Sequence, residues 1–368
     1  MKRESVSLHP SAQPGKTGAC KVSVVIKALN EEKRIEATIK SALQAVLPLG
    51  GEVVLADSCS TDRTVEIARQ YPIRIAELAN PQERCCGAGP QLGWQHSRGE
   101  FIYLIDGDMQ VQAGFLERAL SFMAGHPDVA GVGGRIVEQN LDSLEYQARN
   151  EKIAEHQRAG NVDRLDGGGV YRRSAIESIG YFSNRNLHSY EEFDLAVRLR
   201  EAGWDLWRMP VDAVSHFGHD SPPYQLLMRR WRSRYACGLG ELLRSSLEHQ
   251  RLKLVVQGVR ELRVYGATIA WWLTLLLIPF VPLAWGWRLA CFAAVLAAPV
   301  LLMSMRKRSF AKGLYAVTSW SVNAAGLIRG FVSPQKPPHE GVKSRVVHDA
   351  VPPVKKRGPR SDSTQLRA

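Results

Sequence analysis

The stretch "IYLIDGDMQV", residues 102–111, runs from apolar and aromatic residues straight into Asp106 and Asp108. Side chains two apart on an extended segment share a face, so the pair concentrates negative charge at one spot, and something positive belongs beside it. Hard carboxylate oxygens at this spacing suit Mg²⁺ or Mn²⁺, and such an ion would also grip a diphosphate. A polar turn after a strand is the plainer alternative. Asp57, in "ADSCSTDRT", stands where it could accept a hydrogen bond from a base or ribose, although an Asx turn and helix cap explain Ser60, Thr61 and Asp62 without a ligand. In "SYEEFDLAVRL" the acids Glu191, Glu192 and Asp194 open a helix, where its dipole favours them. A carboxylate held there beside a substrate could also act as a general base. His216 ends a strand-like run, with His219 close behind it. "GVGG" at 131–134 lacks the full spacing of a dinucleotide loop and reads as a bend.

These residues need elements to position them. "KVSVVIKALN" reads as a continuous buried strand, and the spacing of Ile35, Ile39, Ala42 and Val46 predicts a helix from Glu31 to about Val46. "GEVVLAD" is the next strand, "STDRTVEIARQY" a capped helix and "IRIAEL" a third strand; a helix around "GPQLGWQHSRG" leads into "EFIYLIDGD". Strand and helix alternate, which predicts an α/β domain with a mainly parallel, Rossmann-like sheet. Ligands bind such sheets at the carboxyl ends of strands, and three of those ends carry polar or acidic residues: Asn30-Glu31-Glu32, Asp57 and Asp106/Asp108. From about 127 to 220 the pattern becomes a strand "VAGVGGRIV", a polar helix "SLEYQARNEKIAEHQRAG", a Gly-rich loop "LDGGGVYRRSAIESIGYF" into a short helix, an amphipathic segment, and a final strand pair in "DLWRMPVDAVSHFGH".

The chain carries 48 basic against 36 acidic side chains, formally +12, which suits nucleic acid, an anionic membrane surface or anionic ligands. No nucleic-acid module is present, so the last two lead. The six cysteines include no C-x-x-C pair, which points to reduced thiols and a cytosol-facing location. Residues 1–20 are polar, broken by Pro and Gly, and read as a disordered N-terminus without a signal peptide. After a catalytic domain over 21–222, residues 223–263 form basic amphipathic, interfacial helices in which Arg229, Arg230, Arg232 and Arg234 accompany Trp231 and Tyr235. Two uncharged runs within 264–305 predict a transmembrane helical hairpin with its loop around Pro282–Arg288 and both ends in the cytoplasm. Residues 306–332 read as an amphipathic or third membrane helix, and 333–368 as a disordered basic tail.

Five segments in order, "VSVVIKALNEEKRI", "VVLADSCSTDRT", "FIYLIDGDMQV", "GGGVYRRSAIESIGYF" and "SYEEFDLAVRLREAGW", resemble the family-2 glycosyltransferases over roughly residues 21–220. The resemblance implies a GT-A fold, a nucleotide-sugar donor, Mg²⁺ or Mn²⁺, and inversion at the anomeric carbon. It implies that Ala28, Asn30, Glu31 and Asp57 contact the nucleoside, and that Asp106 and Asp108 hold the cation and donor diphosphate. Gly168 and Gly169 lie near the sugar or acceptor by the same comparison. Glu192, preceded by Glu191, matches the catalytic aspartate, and His216 a metal-contacting histidine. Two departures stand out: Lys27 replaces the usual Pro after the first strand, and Glu192 replaces the expected Asp, which leaves the base open between Glu191 and Glu192. "YQLLMRRW" does not fit Q-x-x-R-W, which disfavours a processive synthase. The expected partners are a nucleotide-sugar donor, a saccharide or lipid-linked acceptor and membrane lipids, with no nucleic acid. The expected setting is cell-surface or exopolysaccharide synthesis at the inner (cytoplasmic) membrane, with the catalytic domain facing the cytoplasm. A polyprenyl-phosphate glycosyltransferase and a non-catalytic nucleotide-sugar-binding partner are the alternatives.

Overall fold

Strands β1 (Val22–Ala28), β2 (Glu52–Asp57), β3 (Arg74–Leu78) and β4 (Phe101–Asp106) run parallel in the spatial order β3-β2-β1-β4. The computed structural model describes residues 20–139, 158–218, 221–248 and 251–351. The chain steps outward from β1 to β3 and then places β4 on the opposite side of β1. That reversal opens a crevice at the carboxyl ends of β1 and β4, where ligands of open α/β sheets bind. Beyond β4 the sheet continues through β8 (Val170–Arg172), β6 (Val129–Glu138), β9 (Asp205–His216) and β5 (Met109–Val111), while the short β7 (Gly160–Asn161) pairs with β9. The expected final strand pair is one strand, β9, whose register against β6 shifts at several points and so bends it.

Both faces of the sheet are covered, which is why β1 reads as an unbroken apolar run. Val22, Val24 and Ile26 face α1 (Ile35–Val46) and α4 (Phe115–Gly125), meeting Ile39, Ala42, Phe115 and Leu120. Val25 faces the other way, into a cluster formed by α3 (Ala88–His96), α5 (Arg173–Ser178) and α6 (Glu191–Glu201). Helix α1 starts at Ile35 rather than at Glu31, because Asn30 takes a left-handed φ of 60° and residues 31–34 form a turn first. The short α2 (Thr64–Ala68) starts where the Asp62 carboxylate accepts the Thr64 N–H at 3.0 Å. All but the last three residues of the expected polar helix at 143–160 lie outside the described residues, as do His219, residues 1–19 and residues 352–368.

Helices α7 (Pro223–Arg232), α8 (Gly238–Glu248) and α9 (Leu252–Gly258) follow, then α10 (Glu261–Leu277), α11 (Trp285–Lys307) and α12 (Phe310–Phe331). Glu261–Phe280 and Trp285–Lys307 are long and apolar enough to cross a membrane, and only 11% and 6% of their most apolar windows is buried. The loop between them is shorter than the sequence implies. Arg288 lies within α11, and its guanidinium donates to the Leu283 carbonyl at 2.7 Å.

The tail departs from expectation. Ser344–Asp349 forms a tenth strand, β10, antiparallel to β3 at the sheet edge. Its Lys/Arg-rich composition concealed it, but an open edge supplies backbone partners to any extended segment. Side chains fasten it further: Arg345 reaches the Glu77 carboxylate at 3.1 Å, and Asp349 reaches Arg74 at 3.1 Å. Strand β10 thus returns the chain to the sheet after α10–α12. Among the described residues, α12 is not one of the helices long and apolar enough to cross a membrane. Instead α12 lies against the 3-10 turn Tyr235–Cys237, so closely that a Cβ on Gly330 would stand 2.0 Å from the Cys237 carbonyl oxygen.

The amino end of the sheet carries a buried ion pair. Arg74 and Glu52, 4% and 3% exposed, meet at 3.2 Å. Glu52 also accepts from Ser23 at 2.9 Å and from the Arg98 N–H at 2.6 Å, while Arg74 donates to the His96 carbonyl at 2.7 Å. Removing one partner strands a charge in the core, whereas apolar replacement of both does not. Arg74→Met should therefore cost about 3–5 kcal/mol, read as a lower urea midpoint, and Arg74→Met/Glu52→Leu should recover most of it. An unchanged midpoint in the single variant would count against this assignment.

Candidate active site

The register between β1 and β4 sets Lys27 opposite Asp106. Paired residues on parallel strands project to the same face, and here a cation meets an acid: Lys27 Nζ lies 3.0 Å from Asp106 Oδ1. Helix α6 brings its first turn to the same ammonium, with Glu191 at 3.3 Å and Glu192 at 3.7 Å. Burial works against the Lys27 charge, but Asp106, Glu191 and Glu192 outweigh it and hold its pKa well above the ordinary lysine range. Burial and the Glu191 charge push Glu192 up to about 7, even with the nearby ammonium favouring its ionised form. Glu191 is 7% exposed and Glu192 28%, so Glu192 is the acid that meets solvent.

Asp108 belongs to a second cluster. Its carboxylate lies 3.4 Å from His216 Nε2, and the opposite ring nitrogen lies 2.6 Å from Glu138. Pairing of β5 with β9, Met109 opposite His216, and of β6 with β9, Glu138 opposite His216, creates this arrangement. Burial disfavours a charged imidazole, yet hydrogen bonds and charge from Asp108 and Glu138 raise its pKa to about 10.

The glycine between the two acids is a packing requirement. A Cβ on Gly107 would stand 2.7 Å from Glu31 Cγ and 3.2 Å from Ala28 Cβ. Glu31 is thus pressed against the Asp-Gly-Asp turn, and burial together with Asp108 and Asp106 pushes its pKa up to about 8. Asn30 and Asp57 both bond to the loop that follows β2. Asn30 accepts from the Thr61 N–H at 2.7 Å, and the fully buried Asp57 accepts from the Ser60 N–H at 2.9 Å and hydroxyl at 2.6 Å. Gly168, at φ +83°, and Gly169 exchange backbone hydrogen bonds with Leu104, and the neighbouring Gly167 lines the cleft in their place.

Two cavities meet here. One, of about 890 Å³, is lined by Ala28, Glu31, Ser58, Asp108 and the Arg229, Arg230, Arg232 and Arg234 side chains from α7 and the turn after it. The other, of about 700 Å³, is lined by Glu138, Asp166, Gly167, Tyr190, Glu191 and Glu192. Lys27, Asp106 and His216 line both, along with Cys86 and Tyr235. The fold therefore separates a basic compartment from one holding the acid pair, and the two communicate across Lys27 and Asp106.

Among the described residues, no three His, Cys, Asp or Glu side chains gather into a ready metal-ligand set. Asp106 faces Lys27 while Asp108 faces His216. The donor types nevertheless fit a divalent cation, because two carboxylates and an imidazole suit Mg²⁺ or Mn²⁺. Asp106 Oδ1 is buried with the Lys27 ammonium 3.0 Å away as its charge partner, and that ammonium also donates to Glu191 at 3.3 Å. Sequence reasoning treated Lys27 only as a departure from a pattern and passed over Glu138. A lone cation inside "VSVVIKA" was the signal for the first. Glu138 gave none, since a β6–β9 pairing is not written in local sequence.

Comparison with known proteins shows what the chain is similar to. Residues 23–180 match the model described as Glycosyl transferase family 2, and over that segment the chain is similar to this family. Glycosyltransferase AglE of Haloferax volcanii is 27% identical over 198 residues, covering 50% of this chain and 63% of that protein. The probable glucomannan 4-beta-mannosyltransferase 1 of Arabidopsis thaliana is 26% identical over 265 residues, covering 66% and 46%. The chain thus spans about half to two thirds of the length of these relatives. The mannosyltransferase PcManGT from Pyrobaculum calidifontis, solved with GDP-Man and Mn²⁺, superposes with a TM-score of 0.52 at 16% identity, covering 87% of this chain and 91% of that one. At that identity the likeness speaks for the GT-A fold alone.

The contact between Gly107 and Glu31 yields a test. Gly107→Ala should lower stability by about 1–3 kcal/mol through overpacking, and Gly107→Ala/Glu31→Ala should regain most of that. Thermal melts of the two variants check it; equal losses in both would locate the strain elsewhere.

Proposed function

We propose that the chain is an inverting, metal-dependent glycosyltransferase that moves one sugar from a nucleotide-diphosphate sugar to a hydroxyl acceptor. The observation that carries this reading is the meeting of two cavities across Lys27 and Asp106, with the Asp106/Asp108 pair on one side and Glu191/Glu192 on the other. In this reading the donor lies in the larger cavity, against Ala28, Glu31 and Ser58. Asn30 and Asp57 shape that wall by tying the β1 and β2 loops together, and Arg229–Arg234 face the diphosphate. Asp106, Asp108 and His216 would hold Mg²⁺ or Mn²⁺, which supplies positive charge against the departing diphosphate.

The acceptor enters the smaller cavity beside Gly167. Glu192 takes the proton from its hydroxyl, being the more exposed of the two acids, and the oxygen attacks the anomeric carbon opposite the leaving group. Glu191, more deeply buried and hydrogen-bonded to Lys27, orients the pair. The relatives' names, AglE among them, support sugar transfer as the activity, and the Mn²⁺ held with GDP-Man by PcManGT supports the cation. The apolar helices α10 and α11 support attachment to the inner membrane with the catalytic domain in the cytoplasm, next to a lipid-linked or saccharide acceptor.

A screen of nucleotide-sugars with and without Mn²⁺, read by thermal shift and then by transfer, should identify one donor. Against that donor, Asp108→Ala should abolish turnover with the fold intact, and Glu192→Gln should lower kcat by about 10²–10⁴-fold. Full activity in Asp108→Ala would sink the reading. A mild effect of Glu192→Gln beside a lost Asp108→Ala would indicate a phosphate acceptor, such as a polyprenyl phosphate, in place of a hydroxyl. The base must be ionised, so the wild-type rate should rise with pH across about 7 and then level. A rate falling over that range would remove Glu192 from the role.

A further inference from the structure

Lys27 does more than fill a gap between acids. Its ammonium sits on the Asp106 carboxylate at 3.0 Å, where the proposed cation would need an oxygen ligand, and like charges cannot share that oxygen at low cost. It is held there by Glu191 and Glu192 as well, on a strand locked in register between β2 and β4. The same side chain lines both cavities, so any diphosphate in the larger one approaches it directly. A diphosphate brings the negative charge that both Lys27 and a divalent ion require. Without it, the ion must compete with the lysine.

We propose that Lys27 is a resident counter-ion that competes with the divalent cation for Asp106, so that the cation enters together with the donor diphosphate and not before it. This rests on reading Asp106 and Asp108 as the cation and diphosphate anchor. Lys27 is then a positioning residue: it keeps the acid cluster intact in the empty enzyme and links metal binding to donor binding.

The test measures Mn²⁺ binding to the full chain in detergent, by calorimetry or electron paramagnetic resonance, with no nucleotide present. Lys27→Met should bind Mn²⁺ about tenfold or more tightly than wild type, since removing a like charge a few ångströms away favours the ion. Lys27→Arg, which keeps the charge, should bind at or below the wild-type level. The gain should vanish in Lys27→Met/Asp108→Ala. Adding UDP or GDP should raise Mn²⁺ affinity in wild type far more than in Lys27→Met. No tighter binding in Lys27→Met, tighter binding in Lys27→Arg, or a gain that survives Asp108→Ala would overturn the proposal. So would absence of Mn²⁺ binding from wild type and Lys27→Met alike, and sugar transfer by wild type would then leave the broader reading standing. Conversely, the predicted Mn²⁺ gain without sugar transfer from any donor would keep the role of Lys27 and remove the enzymatic one. If Lys27→Met melts out, Lys27→Gln, which removes the charge but keeps a polar side chain, takes its place with the same expected and overturning outcomes.

Discussion

Carboxylates crowded at one sheet edge repel, and two of them about 4 Å apart at an effective dielectric near 20 do so by about 4 kcal/mol. Asp106, Asp108, Glu191 and Glu192 are gathered from a strand end, a turn and a helix start, and the arrangement holds only because cations are set among them. Lys27 answers three of the acids and His216 answers the fourth. Each cation is placed by strand pairing: Lys27 by β1 against β4, and His216 by β9 against β5 and β6. The site is therefore a property of sheet register, and a slip of one residue would turn Lys27 to the other face of the sheet.

The same register explains the division into two compartments. On one side of the Lys27–Asp106 contact the walls come from β1, the Asp-Gly-Asp turn and arginines supplied by α7 and the turn after it. On the other they come from β6, the loop before β8 and the start of α6. In the proposed function a donor with negative phosphates takes the first, whereas the second offers an acid of raised pKa to a neutral group. Charge alone thus suggests which compartment receives which substrate, before any likeness to other proteins is considered.

What was legible in the sequence was mostly local. The apolar runs of β1, β2 and β4 announced themselves because each is buried on both faces, and α1 did so through Ile35, Ile39, Ala42 and Val46. The Asp106/Asp108 and Glu191/Glu192 pairs stood out because acids at the ends of apolar segments need a reason. Non-local pairing was not legible. Glu138 meets His216 across 78 positions, and nothing in either neighbourhood encodes the meeting. Asp57 stood out as a candidate ligand contact, while the Asx turn that its oxygens form with Ser60 three residues on was equally legible. Strand β10 was hidden by composition, since Pro, Lys and Arg around it resemble a solvated tail, and its stability comes from an edge 266 positions earlier, where Ser344 pairs with Leu78.

That last strand bears on how the apolar helices and the sheet are joined. Residues 334–336 line the larger cavity on their way from α12 to the sheet, Lys336 reaches Glu83 at 2.7 Å, and Arg185 donates to the Gly341 carbonyl at 2.7 Å. The wall of the proposed donor compartment is thus built partly by residues that follow the apolar helices in the chain. Apolar helices attached by a flexible linker could be removed without touching the site, but these cannot, because the chain leaves the domain at α9, passes through α10–α12 and returns to complete it. Closing so long a loop carries an entropic cost that grows only slowly with length, so β10 needs few contacts to hold the return. Its paired backbone and the Arg345–Glu77 and Asp349–Arg74 contacts supply them. Since Arg74 also neutralises Glu52 in the core, the returning strand, the sheet and the wall of the cavity form one mechanically continuous unit.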